Sequence, residues 1–305
     1  MGFSVTILGS NSAIPSHGRH PTAQVLSIKD HLILIDCGEG TQLRLSQFEI
    51  KIHKIEQIFI SHLHGDHFLG LVGLITSYNL SQRQKPLTVF GPKGLEEIVH
   101  LQLKYSDTTL RYDLKFVEVI PENGKVIFSN DLYEVSTLKL NHRIPCSGFI
   151  FREKNTDRKI LKEALAEYKI PVEVIPALKK GADFIMPDGT VIPNQIVTAD
   201  PPHERSYAFC TDTSYLEEII PFIKEVDLLY HEATFTSELH ERAKETFHTT
   251  AKEAGMLAQK AEVKKLVLGH FSGRYRELDM LLKEAKSQFS NTELAIEGTC
   301  FEVPI

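Results

Sequence analysis

Four side chains able to coordinate a cation fall within six residues in Ser61-His62-Leu63-His64-Gly65-Asp66-His67, spaced as H-x-H-x-D-H. Two residues apart in extended backbone, His62 and His64 project to one face, so both imidazoles can reach one cation. Gly65 permits a sharp turn, after which Asp66 and His67 can face a second position. Such a set suits two metals about 3.5–4 Å apart, which can generate a hydroxide nucleophile and stabilise both oxygens of an in-line displacement. Clustered histidines can also be surface polarity. Here they lie beside strongly apolar flanks, where ionised groups without a cation would suffer desolvation and mutual repulsion.

The elements that hold these ligands follow from periodicity. Gln57 to Ile60 predicts a strand and Phe68 to Leu80 a helix, so the histidines occupy a strand-to-helix loop. Residues 4–8, 22–28 and 31–36 read as strands of a meander. The loop Asn11 to Pro21, with His17 and His20, is polar; it could line a site or merely be solvated, and the solvated reading is favoured. Strand 32–35 runs into Asp36-Cys37-Gly38-Glu39-Gly40-Thr41-Gln42, where Asp36 fits two roles: a carboxylate orienting a ligand histidine, or part of a turn with a helix cap.

Strand character returns at 87–90 and 113–151, where the run Tyr133 to Leu140 leads to His142. Tyr207 to Thr213 reads as a buried strand carrying Asp212, each of whose oxygens can bind a different metal. A helix over 215–225 leads to the strand Asp227 to Tyr230, which ends at His231-Glu232-Ala233-Thr234. Thr250 and Glu253 have capping-box spacing for a helix over 251–261, which sets His248 at a helix start. Lys265 to Leu268 leads to His270. Strand after strand thus ends in a candidate ligand: His62, His142, Asp212, His231 and His270. An α/β fold of two packed sheets with helices outside would gather these ends at one edge.

The 305 residues suffice for a large core, and 34 Lys and Arg against 40 Asp and Glu leave a net charge of −6. That balance argues against diffuse nucleic-acid binding by the whole surface. The amino terminus has no basic region ahead of its short apolar run, and no stretch approaches the roughly 18 apolar residues of a membrane span, so a cytoplasmic location is the expectation. Cys37, Cys146, Cys210 and Cys300 form no C-x-x-C pair and are expected to be packed thiols. Residues 152–205 break the rhythm. A helical stretch, Lys159 to Tyr168, precedes Pro171, Pro176, Pro187, Pro193, Pro201 and Pro202, which discourage compact structure. Phe151 to Lys180 carries eight Lys and Arg against five Asp and Glu. A basic insertion on an acidic body suits a polyanionic partner, although on charge alone an ordinary charged surface helix fits nearly as well.

These motifs resemble the metallo-β-lactamase superfamily, whose hallmark is H-x-H-x-D-H with downstream His, Asp and His. Within it, Asp36-Cys37-Gly38-Glu39-Gly40-Thr41-Gln42, the continuation Leu69-Gly70-Leu71, His231-Glu232-Ala233-Thr234 and His248 resemble the ribonuclease Z family of tRNA 3′-end processing endonucleases. The resemblance spans essentially the whole chain. It implies a four-layer αββα sandwich with a projecting arm inserted in the second half, here 152–196, that grips tRNA. It implies two zinc ions, with manganese compatible by ligand type. One would be held by His62, His64 and His142, the other by Asp66, His67 and His270, with Asp212 bridging. Asp66 would also orient the attacking water, and His248, supported by Glu232 or His231, would protonate the leaving 3′-oxygen. Precursor tRNA is the implied substrate and a homodimer the implied assembly. Two stretches depart from the family: Pro15-Ser16-His17-Gly18-Arg19-His20 stands where P-x-K-x-R-N is usual, and residues 170–181 lack the Gly-Pro-rich tip of the arm. A small-molecule phosphodiesterase on the same centre is the alternative; it would want a small closed pocket and no basic insertion.

Overall fold

A computed structural model describes residues 2–154 and 157–303. The chain divides into two compact units, Met1–Arg152 with Arg205–Ile305, and Glu153–Glu204.

Two seven-stranded sheets make up the larger unit. The first runs in space as Cys300–Glu302, Phe3–Gly9, Ala23–Ile28, His31–Ile35, Ile55–Phe59, Leu87–Gly91 and Leu114–Glu118. The second runs as Thr292–Leu294, Leu266–Gly269, Leu228–Glu232, Ser206–Cys210, Cys146–Glu153, Tyr133–Leu140 and Val126–Ser129. Both are mixed: His31–Ile35 to Leu114–Glu118 are parallel in the first, and Ser206–Cys210 to Thr292–Leu294 in the second.

The alternation of apolar side chains along these strands separates three cores. Successive residues point to opposite faces, so Phe3, Val5, Ile33, Ile35, Phe149, Phe151, Tyr207, Phe209, Leu228 and Tyr230 share a cluster between the sheets. Leu34, Ile58 and Val89 turn outward to meet Leu45, Leu74, Leu95 and Val99 of the helices on one side. Ile150, Ala208 and Leu229 turn outward to meet Ala251, Ala254, Leu257 and Leu281 on the other. Strands covered on both faces read as continuous apolar runs for this reason. Phe59 anchors the middle layer, stacked on Phe90 at 4.5 Å and edge-on to Phe149 at 5.4 Å; full burial of such a ring contributes about 1.5–3 kcal/mol. The result is a four-layer αββα sandwich.

Helix Ala251–Lys260 has the expected capping box: the Thr250 hydroxyl accepts from the Glu253 amide, and the Glu253 carboxylate accepts from the Thr250 amide. Other elements depart from expectation. The helical run 68–80 is interrupted at Leu69 and Gly70, giving Gly65–Phe68 and Leu71–Leu80. The strand reading passes over the helix Leu95–Tyr105, although its buried Leu95, Val99 and Leu103 recur every fourth residue. Cys300 is exposed, whereas the other three thiols are packed as expected.

The unit Glu153–Glu204 has a core of its own, Ala164, Ile170, Leu178, Phe184 and Val197. Its prolines do not prevent this. Pro176 occupies the first turn of helix Ile175–Lys179, where the missing amide proton costs nothing. The basic excess of its first half is also offset. Asp183, Asp188, Asp200 and Glu204 bring the unit to nine Asp and Glu against seven Lys and Arg.

Candidate metal centre

The parallel strands of both sheets deliver their carboxyl ends to one cavity of about 470 Å³, lined by His64, Asp66, His142, Asp212, His248 and His270 among others. Turning from strand to site takes unusual backbone. Asp36, Asp212 and His270 each follow a strand and hold positive φ, at 54°, 26° and 57°. Left-handed backbone at non-glycine residues is uncommon and concentrates where surrounding structure forces it.

The ligating atoms fall into two groups that share Asp212. His64 Nδ1 lies 3.0 Å from both His62 Nε2 and His142 Nε2. Asp212 Oδ2 faces this trio, 3.7 Å from His62 Nε2 and from His142 Nε2. On the other side Asp212 Oδ1 is 3.1 Å from both His67 Nε2 and His270 Nε2. Asp66 Oδ2 completes that group at 3.4 Å from His67 and 3.5 Å from His270. Donor atoms on a tetrahedral zinc with bonds of about 2.0–2.1 Å would lie about 3.3 Å apart, close to these separations.

Orphaned atoms test the fit. His67 Nε2 and His270 Nε2 are buried without a hydrogen-bond partner, and nitrogen lone pairs converging at 3.0 Å have nothing to gain from one another. A cation in each group would satisfy them. The donor set, rich in imidazole and carboxylate and without thiolate, is that of a divalent metal site.

Four of the candidate ligand imidazoles are oriented from behind. His67 Nδ1 donates to Asp36 Oδ2 at 2.7 Å, and the same carboxylate accepts the Ser61 amide at 2.7 Å and the Ser61 hydroxyl at 2.9 Å. Asp36 therefore orients a ligand histidine and caps no helix. Ser61 Oγ also contacts His62 Nδ1 at 3.0 Å, while His142 Nδ1 donates to the Phe247 carbonyl at 3.3 Å. His270 Nδ1 donates to Thr234 Oγ1 at 3.0 Å, and Thr234 donates to Glu232 Oε2 at 2.6 Å. Such partners fix which ring nitrogen is left for the metal.

Beside the centre, His248 Nδ1 donates to Glu232 Oε1 at 2.9 Å, which leaves Nε2 for the cavity. Burial disfavours the charged ring most strongly, but Glu232, then Asp212 and Asp66, outweigh it and raise His248 to about 9. His231 is not brought to the cavity. It is wholly buried, its Nδ1 donates to the Glu232 carbonyl at 2.8 Å, and burial lowers its pKa. Because alternate strand residues face opposite ways, His231 and Glu232 cannot both look into the site.

Loop 11–21 is not merely solvated. The Ala13 amide donates to Asp66 Oδ2 at 2.7 Å, and Ser12, Ala13 and Pro21 line the cavity. Glu297, a residue the motifs do not single out, secures this loop: its carboxylate accepts from the His20 ring at 2.9 Å and pairs with Arg44 at 2.7 Å. Gly38 and Gly70 allow the opposite wall to close up. A Cβ on Gly38 would meet the Asp66 carbonyl at 2.4 Å, and one on Gly70 the Gly38 carbonyl at 2.2 Å.

Two mixed sheets face to face between helices, with paired His/Asp clusters at the strand ends, define a metallohydrolase of the metallo-β-lactamase fold. The crystal structure of the metallo-β-lactamase fold protein YhfI from Bacillus subtilis shares that fold, with a TM-score of 0.71 over 99% of this chain and 100% of that one at 19% identity. A family model described as anti-Pycsar protein Apyc1 matches residues 3–177. A ribonuclease Z of Bacteroides thetaiotaomicron is 44% identical over 301 residues, 99% of this chain and 95% of its own. Human tRNase Z, short form, superposes with a TM-score of 0.72 at 28% identity, covering 99% and 100% of the two chains. The chain belongs to the ribonuclease Z family, and over residues 3–177 it also conforms to the family described as Apyc1. Among the described residues no helix is long and apolar enough to cross a membrane.

Proposed function

We propose that this chain is an endoribonuclease that removes 3′ trailers from precursor tRNA, hydrolysing one phosphodiester and leaving a 3′-hydroxyl on the tRNA. The observation that carries this is the pair of donor groups joined by Asp212, with His248, held from behind by Glu232, on the same cavity, in a chain 44% identical over its length to a ribonuclease Z. A small-molecule phosphodiesterase on the same centre is not favoured by these relatives.

The group fitting this site is a pair of zinc ions per chain, which His62, His64 and His142 would hold on one side and Asp66, His67 and His270 on the other, with Asp212 available to both. Two such ions supply a hydroxide at neutral pH and neutralise charge on the transferring phosphoryl group. The chain's own residues do the rest. Asp66, fixed by the Ala13 amide at 2.7 Å, orients the attacking water. His248 gives the proton on Nε2 to the departing ribose 3′-oxygen, while Glu232 holds Nδ1 and keeps the ring charged until transfer.

The unit Glu153–Glu204 is assigned to RNA docking and given no part in the chemistry, through the exposed Lys159, Lys162, Lys169 and Lys180. A homodimer in the cytoplasm completes the reading. Exposed Leu43 and Leu80, at 66% and 78%, offer apolar surface for subunit contact, and sedimentation equilibrium measures the state.

Incubation of the purified protein with a 3′-extended precursor tRNA, followed by mapping of both product ends, tests the function. A single cut at the tRNA 3′ end, with hydroxyl on the tRNA and phosphate on the trailer, is expected. Hydrolysis of bis(p-nitrophenyl) phosphate with the precursor left intact would overturn the tRNA assignment.

A further inference from the structure

Apart from the metal site and His248, the cavity offers few positive side chains to a polyanionic substrate. Its walls carry Glu39, Asp66, Asp212 and Glu245, and among the described residues lining it Arg143 is the only lysine or arginine. Arg143 follows His142 directly in the loop beyond strand Tyr133–Leu140. Its side chain is exposed, with Nη2 3.1 Å from His64 Nε2.

Once His64 acts as a ligand, that contact joins two donors. His64 turns Nδ1 toward His62 Nε2 and His142 Nε2, at 3.0 Å from each, so Nδ1 keeps its lone pair for the cation and the ring proton resides on Nε2. A guanidinium has five N–H donors and no acceptor. Two N–H groups facing each other cannot satisfy one another, whereas one anionic oxygen set beside both satisfies the pair. At the mouth of a site for phosphodiester hydrolysis, a phosphate oxygen is the acceptor of that description, and it matches the planar fork of arginine.

We propose that Arg143, together with the Nε2–H of His64, binds a non-bridging oxygen of the scissile phosphodiester and is a catalytic residue of this enzyme. The assignment rests on the phosphodiester-hydrolase reading of the site. No bond to Arg143 forms or breaks. Negative charge accumulates on the non-bridging oxygens as the water attacks, so a donor aimed there strengthens in the transition state and acts on kcat more than on substrate binding.

Arg143→Met and Arg143→Lys test this in the metal-loaded protein, with inorganic phosphate as a calorimetric probe and bis(p-nitrophenyl) phosphate as substrate. Arg143→Met should bind phosphate at least about tenfold more weakly and lose about 10²-fold in kcat, the usual effect of deleting one donor to a developing anion. KM should change less, and metal content and melting temperature should stay at wild-type values. Arg143→Lys should regain part of the phosphate affinity while kcat remains low, because an ammonium lacks the fork. Phosphate affinity and kcat both within twofold of wild type in Arg143→Met would overturn the proposal, leaving Arg143 a solvated side chain. Loss of bound metal in that variant would also overturn it, because Arg143 would then be a support for His64. If Arg143→Met weakens phosphate binding and small-substrate turnover while the wild-type protein fails to cut precursor tRNA, the phosphate contact stands and only the RNA assignment falls.

Discussion

Asp36→Asn is the most revealing single change, because it removes one charge and almost no volume. The carboxylate is wholly buried and accepts three hydrogen bonds, from the Ser61 amide at 2.7 Å, the Ser61 hydroxyl at 2.9 Å and His67 Nδ1 at 2.7 Å. An asparagine has one acceptor end and one donor end. If its oxygen keeps the Ser61 amide, its NH₂ points at His67 Nδ1, which can accept only by moving the ring proton to Nε2. That nitrogen lies 3.1 Å from Asp212 Oδ1 and is the one a metal needs. Loss of an orienting partner of this kind costs about 10–100-fold in metal affinity, or about 1.4–2.7 kcal/mol. Competition against a chromophoric chelator should therefore show the site that uses His67 weakened more than the other, where Asp36 reaches His62 only through the Ser61 hydroxyl and His142 is held by the Phe247 carbonyl. Two sites of unchanged affinity, with only the melting temperature of the metal-free protein lowered, would refute the reasoning and reduce Asp36 to a brace for the turn.

Metal analysis of dialysed protein should give close to two ions per chain; a value below one with activity intact would end the dinuclear reading. His248→Ala should lower turnover on precursor tRNA by about 10²–10⁴-fold with metal content unchanged, and loss of metal would make His248 structural. His248 is raised to about 9 despite burial, chiefly by Glu232. A proton donor works below its pKa, so turnover should fall at alkaline pH as His248 loses its proton, and Glu232→Gln should bring that decline to lower pH. Charge reversal at Lys159, Lys162, Lys169 and Lys180 should weaken precursor binding and flatten its salt dependence by about 0.7–0.9 in log–log slope for each phosphate no longer neutralised. Hydrolysis of bis(p-nitrophenyl) phosphate should stay at the wild-type rate, and an unaltered salt slope would place the RNA-binding surface elsewhere.

The donor cluster and the layered sheets are legible in the sequence because both depend on local spacing. His62 and His64 face one way through the period of a strand, and the apolar runs 31–36 and 207–211 declare strands covered on both sides. What stays hidden depends on contacts between distant segments. Nothing near Ala13 announces that its amide meets Asp66, and Glu297 looks like an ordinary acidic residue until His20 and Arg44 are seen against it. His231 reads as a strand-end candidate only if the strand stops at Tyr230; it continues to Glu232, and pleating then turns the imidazole away. The prolines of 171–202 argue against compact structure one at a time. Taken together they punctuate short elements that close over Leu178 and Phe184.

Asp212 and His270 sit late in a chain whose H-x-H-x-D-H loop comes early, and this orders events during synthesis. A nascent chain that has emerged through strand Cys146–Glu153 already holds His62, His64, Asp66, His67 and His142, yet lacks the carboxylate that faces both groups. The second sheet also remains incomplete until Leu228–Glu232 and Leu266–Gly269 align beside Ser206–Cys210. Under the ligand assignment proposed above, metal capture at full strength would wait until the chain has emerged through His270. A chain truncated before Asp212 would carry the clustered imidazoles without the carboxylate that faces both groups.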